Sequence, residues 1–158
     1  MKDKTVAKTN ALRILDAMKI SYLVHEYDEE VTDGESVAAL LGQDPDSVFK
    51  TLVTVGNDLE HYVFVVPVSC TLDLKKAAAS VGVKRVEMIK QKELFPLTGY
   101  VHGGCSPVGM KKKFTTVISD VAPLFPTICV SGGRRGLQIE LSPALLRSAT
   151  DALFGDII

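Results

Sequence analysis

The strongest constraint on the fold of this chain is a pair of β-branched and aromatic runs, Thr51 to Val55 and His61 to Val68, separated by Gly56-Asn57-Asp58. Side chains branched at Cβ suit a pleated surface, and Gly-Asn-Asp supplies residues that turn sharply, so the segment predicts a β-hairpin. Pro67 has no N–H to give to a ladder and suits an edge or a strand's end.

Short elements surround this hairpin. Ala11, Leu12, Leu15 and Met18 recur at helical spacing and predict a helix over residues 5–18, and Ile20 to Tyr27 reads as a strand. Asp33-Gly34 punctuates the chain, and Ser36 to Leu41 predicts a short helix closed by Gly42. Asp44-Pro45 then starts a turn that carries Lys50 at its end. Beyond the hairpin, Asp73 caps a helix through Val81 and Gly82 stops it. Val83 to Val86 reads as a brief strand, and Lys90 to Phe95 as a short helix ended by Pro96. Strands are predicted over 115–119, 127–130 and 137–141, and Ser142-Pro143 opens a last helix. Without a steady βαβ rhythm, this order predicts an α+β fold: one domain over 1–158 with a mixed, mainly antiparallel sheet among short helices.

Composition narrows the function. At 158 residues, with 46% hydrophobic and 23% charged side chains, the chain can bury one real core. No apolar stretch reaches the roughly 20 residues that span a bilayer, and the first residues form no signal-peptide core, so no membrane partner and a cytoplasmic location are expected. Cys70, Cys105 and Cys129 are far apart, as are His25, His61 and His102, which predicts neither disulfide nor metal. Gly103 to Gly109 lacks the spacing of a phosphate loop or a dinucleotide fingerprint, so no cofactor is expected.

The net charge of −1 argues against a chain that coats nucleic acid, but the charges are unevenly placed. Seven basic residues lie between Lys84 and Lys113, against Glu87 and Glu93, and Arg134-Arg135 adds a pair. Such a half could orient a polyanion or form a solvated face. Lys50, in contrast, is the only Lys or Arg between Lys19 and Lys75, among eleven acidic side chains. Two readings stand for it: an offset to local acid repulsion, or a working residue where a turn feeds a strand.

Three segments are candidates for chemistry: Phe49-Lys50-Thr51-Leu52, Gly103-Gly104-Cys105-Ser106-Pro107-Val108-Gly109 and Ser131-Gly132-Gly133-Arg134-Arg135-Gly136. Paired glycines let neighbouring N–H groups point at one oxygen, as an oxyanion site needs, and they equally serve tight turns. Cys105, three residues after His102, is a candidate thiol nucleophile or a small loop residue.

These segments, in this order, resemble the YbaK/EbsC branch of the prolyl-tRNA synthetase-associated editing domains, with Tyr22-Leu-Val-His-Glu-Tyr27 as a matching early segment and likeness over nearly the whole chain. The resemblance implies a curved, barrel-like sheet. It implies a free-standing deacylase that cleaves Cys-tRNA(Pro), with Cys-tRNA(Cys) also accepted, through attack of the substrate's own thiol on its ester. Lys50 would hold substrate oxygens. Main-chain N–H groups near Gly103 and Gly104 would meet the carbonyl, with Phe49, Thr51 and Ser131 lining the pocket and Tyr22 and Tyr27 shaping it. Gln138 stands where cysteine-editing relatives often carry an acid, so an Ala-tRNA(Pro) deacylase is an alternative within the family. A non-catalytic tRNA- or synthetase-binding module is an alternative of another class. Lys111, Lys112, Lys113, Arg134 and Arg135 are the expected tRNA contacts, and prolyl-tRNA synthetase a possible partner.

Overall fold

In the computed structural model, which describes residues 7–158, helix α1 (Asn10–Ala17) leads into strand β1 (Leu23–Glu26), helix α2 (Gly34–Leu40) and a 3-10 turn at Pro45–Ser47. The hairpin strands β2 (Phe49–Gly56) and β3 (His61–Pro67) follow, then α3 (Leu74–Ser80), β4 (Val86–Met88) and a 3-10 turn at Gln91–Glu93 running into α4 (Leu94–Thr98). After β5 (Thr115–Ser119) and a third 3-10 turn come β6 (Ile128–Ser131), β7 (Leu137–Leu141), α5 (Pro143–Thr150) and β8 (Leu153–Gly155).

Local chemistry explains most boundaries. Thr9 caps α1 by accepting from Leu12 N–H, and Asp33, Asp44 and Asp73 cap the elements that follow them in the same way. Residues 5 and 6 of the predicted first helix lie outside the described residues. Lys50 is not at the end of a turn but is the second residue of β2. The strand expected at Val83 begins only at Val86, because Val83 N–H is spent on Ala78 at the end of α3. Pro96 does not end a helix. It lies in the first turn of α4, where no intrahelical acceptor awaits its missing N–H, and Gly99 with φ 81° stops the helix instead. Strand β8, unforeseen in the sequence, pairs parallel with β5.

The strands form two sheets: β1-β7-β6, wholly antiparallel, and β4-β2-β3-β5-β8, in which β3-β5 and β5-β8 are parallel. The sheet is therefore mixed and mainly antiparallel, but it is not closed into a barrel. The two sheets touch through one parallel bridge, Val48↔Cys129, just before β2. On the edge of β2 opposite β3, β6 therefore meets the strand at its start, and β4 covers Thr54–Gly56 at its end. Between them no strand of the described residues covers the edge of β2. The main core, including Leu12, Phe49, Ile118, Val130, Ile139 and Leu146, fills the space between the sheets and helices α1 and α5.

Candidate active site

The uncovered edge of β2 opens into a cavity of about 480 Å³. Side chains of successive strand residues alternate between the two faces of a sheet, yet Phe49, Lys50, Thr51, Leu52 and Val53 all line this cavity. That is possible because the cavity runs along the strand's edge, with β4 residue Met88 and its neighbour Ile89 at one end and β6 residues Val130 and Ser131 at the other. Helix α2 and the preceding Thr32 and Asp33 form the side nearest Val68. There Gly34 is required by space, since a Cβ would lie 2.2 Å from Val68 Cγ1.

The opposite wall is made by the glycine loops. Gly103, with φ 86°, lines the cavity. Gly104 does not. A Cβ on Gly104 would meet the Arg134 backbone at 2.7 Å, so this residue is the point at which the two glycine loops touch. Its N–H donates to Val101 carbonyl at 3.0 Å, which removes it from the expected oxyanion pair. The N-terminus of α1 fastens both loops: Asn10 Nδ2 donates to Gly109 carbonyl at 2.6 Å, and Thr9 Oγ1 to Gly132 carbonyl at 2.5 Å. Tyr100 adds a hydrogen bond to Val108 carbonyl at 2.6 Å. Thr9, Asn10 and Tyr100 carried no sequence signal for this role, because their partners are more than ninety residues away or in a loop of unknown path.

Lys50 is half-buried in the wall and makes no ion pair among the described residues, while Asp33 and Glu35 line the same cavity. Gln138, 3% exposed, is locked in a reciprocal amide pair with Gln43: Gln43 Nε2 donates to Gln138 Oε1 at 2.7 Å, and Gln138 Nε2 donates back at 3.0 Å. Gln43 sits in a loop after α2 and was not foreseen. Cys105 lines the cavity, but burial pushes its thiol up to about 12, so at neutral pH it is a thiol and not a nucleophilic thiolate. Burial also raises the Tyr27 hydroxyl above its ordinary value, and Tyr27 lines the cavity as expected.

Tyr22 lies elsewhere. Four residues separate it from Tyr27, so along an extended chain the two point to opposite faces. Tyr22 packs against the main core, and its hydroxyl donates to Asp16 at 2.8 Å. Of the expected tRNA contacts, Lys113 pairs with Asp151, Lys111 reaches Pro96 carbonyl at 3.4 Å, Arg134 reaches Glu26 at 3.5 Å and Arg135 Nε donates to His102 carbonyl at 2.8 Å. Lys112 is exposed. None of the five lines the cavity.

The scatter of Cys and His along the chain hides one cluster. Sheet pairing brings His25, Cys129 and Glu140 together with ligand-type atoms within 4.8 Å of one another. The group is internally satisfied: His25 Nε2 bonds Glu140 Oε1 at 2.7 Å, Thr127 donates to Glu140 Oε2 at 2.5 Å, and the buried Cys129 thiol is pushed up to about 12.

Comparison with known proteins gives these features a context. A protein of Enterococcus faecalis named "Putative Cys-tRNA(Pro)/Cys-tRNA(Cys) deacylase EbsC" is 46% identical over 99% of this chain and 96% of its own length. A solved structure described as a putative trans-editing enzyme for prolyl tRNA synthetase superposes with a TM-score of 0.81 at 24% identity, covering 96% of this chain and 98% of that one. Another, of a hypothetical protein, gives a TM-score of 0.87 at 26% identity over 94% of this chain and 99% of that one. Residues 28–149, which include both glycine loops and the whole open edge of β2, match the aminoacyl-tRNA editing domain, and this chain belongs to that family.

Proposed function

We propose that this chain is a trans-acting deacylase that removes cysteine from mischarged Cys-tRNA(Pro), with Cys-tRNA(Cys) as a second substrate. The observation that carries the reading is the composition of the cavity: an ammonium group, Lys50, without an ion-pair partner among the described residues, beside a thiol that burial keeps protonated. Such a site can bind and orient an anionic nucleic-acid end, and it fits the mechanism the family resemblance implies, in which the substrate's own thiol is the nucleophile. A synthetase pocket separates amino acids of similar size poorly, which is the chemical need such a second site meets.

In this reaction the cysteine sulfur bonds to its own ester carbonyl carbon, the bond from that carbon to the ribose oxygen breaks, and the thiol proton passes to the departing oxygen. Water then opens the resulting thiolactone to free cysteine. Holding the thiol against the carbonyl supplies most of the acceleration, as intramolecular attack gains large effective molarities. Lys50 binds the substrate's oxygens, Gly103 lets the chain approach the carbonyl, and Phe49, Thr51, Ser131, Tyr27 and Gln138 line the pocket. At about 480 Å³ the cavity suits an aminoacylated terminal nucleoside, leaving the rest of the tRNA outside. Lys90 and Lys92, both exposed, flank the lining residue Gln91 and are basic side chains available to phosphates beside it. Prolyl-tRNA synthetase is the partner that would present the mischarged tRNA.

A deacylation panel tests this directly. Cys-tRNA(Pro) is expected to be cleaved faster than Ala-tRNA(Pro), and Cys105→Ala to retain most of the activity. Preferential loss of alanine would give the site to the alanine branch, and binding without cleavage of any charged tRNA would reduce the protein to a binding module.

A further inference from the structure

The register of β2 places an unused peptide unit at the centre of the cavity wall. The β2-β3 ladder is unbroken from Phe49↔Pro67 to Val55↔His61, and just beyond its ends Val68 N–H donates to Val48 carbonyl at 2.7 Å and Gly56 N–H to Glu60 carbonyl at 2.8 Å. In an antiparallel ladder hydrogen-bonded and non-hydrogen-bonded pairs alternate, so the even-numbered residues of β2 bond to β3 and the odd-numbered ones face the other edge. Two observations agree: Pro67, with no N–H, stands opposite the odd-numbered Phe49, and Val53 carbonyl accepts from Ile89 N–H on the other edge at 3.3 Å. The odd-numbered Thr51 lies between the stretch met by β6 and the stretch covered by β4. Its N–H and C=O point into the cavity, away from β3. Its hydroxyl Oγ1 is, among the described residues, the one buried side-chain oxygen or nitrogen without a hydrogen-bond partner.

We infer that Thr51 binds the aminoacyl group as a one-residue antiparallel β-bridge: the substrate's α-ammonium donates to Thr51 carbonyl, and Thr51 N–H donates to the ester carbonyl oxygen. This inference rests on the deacylase reading above and specifies how the substrate sits. An α-aminoacyl ester carries a donor and an acceptor with the spacing of one strand residue, which is what an open strand edge recognises. Three consequences follow from the geometry. The ester carbonyl is polarised by a fixed main-chain dipole, which takes the place of the Gly104 N–H committed to Val101. The antiparallel direction sends the ester oxygen and ribose back toward Lys50, and the ammonium toward Val53. An L side chain falls on the same face as the Thr51 side chain and a D side chain on the face of Lys50 and Leu52, so the bridge selects the L configuration.

The test uses the non-hydrolysable amide analogue, 3′-cysteinylamino-3′-deoxyadenosine, in L, D and des-amino forms, with hydrogen exchange of the ¹⁵N-labelled protein as the readout. The L form is expected to slow exchange of the Thr51 amide by about tenfold or more, and the des-amino form to bind at least about tenfold more weakly, the loss of one charge-assisted hydrogen bond. Replacing Thr51 by its α-hydroxy acid, which deletes that N–H and also weakens the Lys50 carbonyl as the acceptor opposite Val66, is expected to lower kcat/KM about tenfold with only a small loss of Tm. The same replacement at Leu52 breaks a ladder bond and lowers Tm. If the L analogue binds and protects the Ser131 or Gly103 amides while leaving Thr51 exchange unchanged, the bridge is wrong and the deacylase reading stands. If no form binds, both are wrong.

Discussion

The two walls of the cavity use polar groups in opposite ways. On the glycine-loop wall they hold the wall together: Gly104 N–H is spent on Val101, the carbonyls of Gly109 and Gly132 on Asn10 and Thr9, and Val108 carbonyl on Tyr100. On the β2 wall, among the described residues, Lys50 has no ion-pair partner and Thr51 Oγ1 no hydrogen-bond partner, and the Thr51 peptide faces the gap. A glycine-rich sequence suggests a ligand cradle, yet here the loops mostly give shape. The regular strand, whose backbone is already stiffened by β3, can leave its outer edge unsatisfied for a substrate. Preorganised groups of this kind stabilise a developing charge without reorganising during the reaction.

The largest effect should come from the strand wall. Lys50→Ala is expected to reduce kcat/KM for Cys-tRNA(Pro) by about a hundredfold at unchanged Tm, the scale of a lost charged contact in a partly buried site. Comparable loss of Tm and activity would instead make Lys50 structural. On the loop wall the balance should reverse. Gly104→Ala drives a Cβ to within 2.8 Å of Arg134 backbone atoms and is expected to cost about 1–3 kcal/mol in denaturant unfolding, with activity falling in step. Thr9→Val removes both the α1 cap and the tie to Gly132, with an expected loss of about 1–2 kcal/mol.

Smaller effects sharpen the contrast. Thr51→Val replaces a buried hydroxyl that has no partner by a methyl group of similar size, so stability should hold or rise, where the same change at the bonded Thr9 lowers it. A drop in Tm for Thr51→Val would show that the hydroxyl has a partner and weaken the comparison. Glu140 tests the sheet behind the wall. Its carboxyl is held below the ordinary range by the Thr127 hydroxyl and then by His25, so it stabilises the fold above its unfolded value, and that contribution disappears as pH falls through the lower folded value. Glu140→Gln should therefore flatten the acid limb of a Tm-against-pH curve.

Much of this was legible along the chain because it is governed by neighbours. β-branched runs and a Gly-Asn-Asp turn specify β2 and β3, capping aspartates start α2 and α3, and the ordered motifs around Lys50, Gly103 and Ser131 identify the editing domain. Where local rules competed, the reading slipped. Pro96 is compatible with a first helical turn as well as with a helix end, and Leu153–Gly155 is too short to announce a strand before β5 offers it an edge.

The sequence by itself determined most of the elements, the family and part of the cavity lining, Tyr27, Phe49, Lys50, Thr51, Gly103, Ser131 and Gln138, since each depends on residue type and short spacing. Only the tertiary structure decided which edge of β2 lies open, that Gly104 is a contact and not a donor, that Tyr22 points away, and that Gln43 holds Gln138. These depend on which distant strands and loops arrive beside a residue, and strand pairing, unlike helix capping or turn formation, is not written in the residues next door.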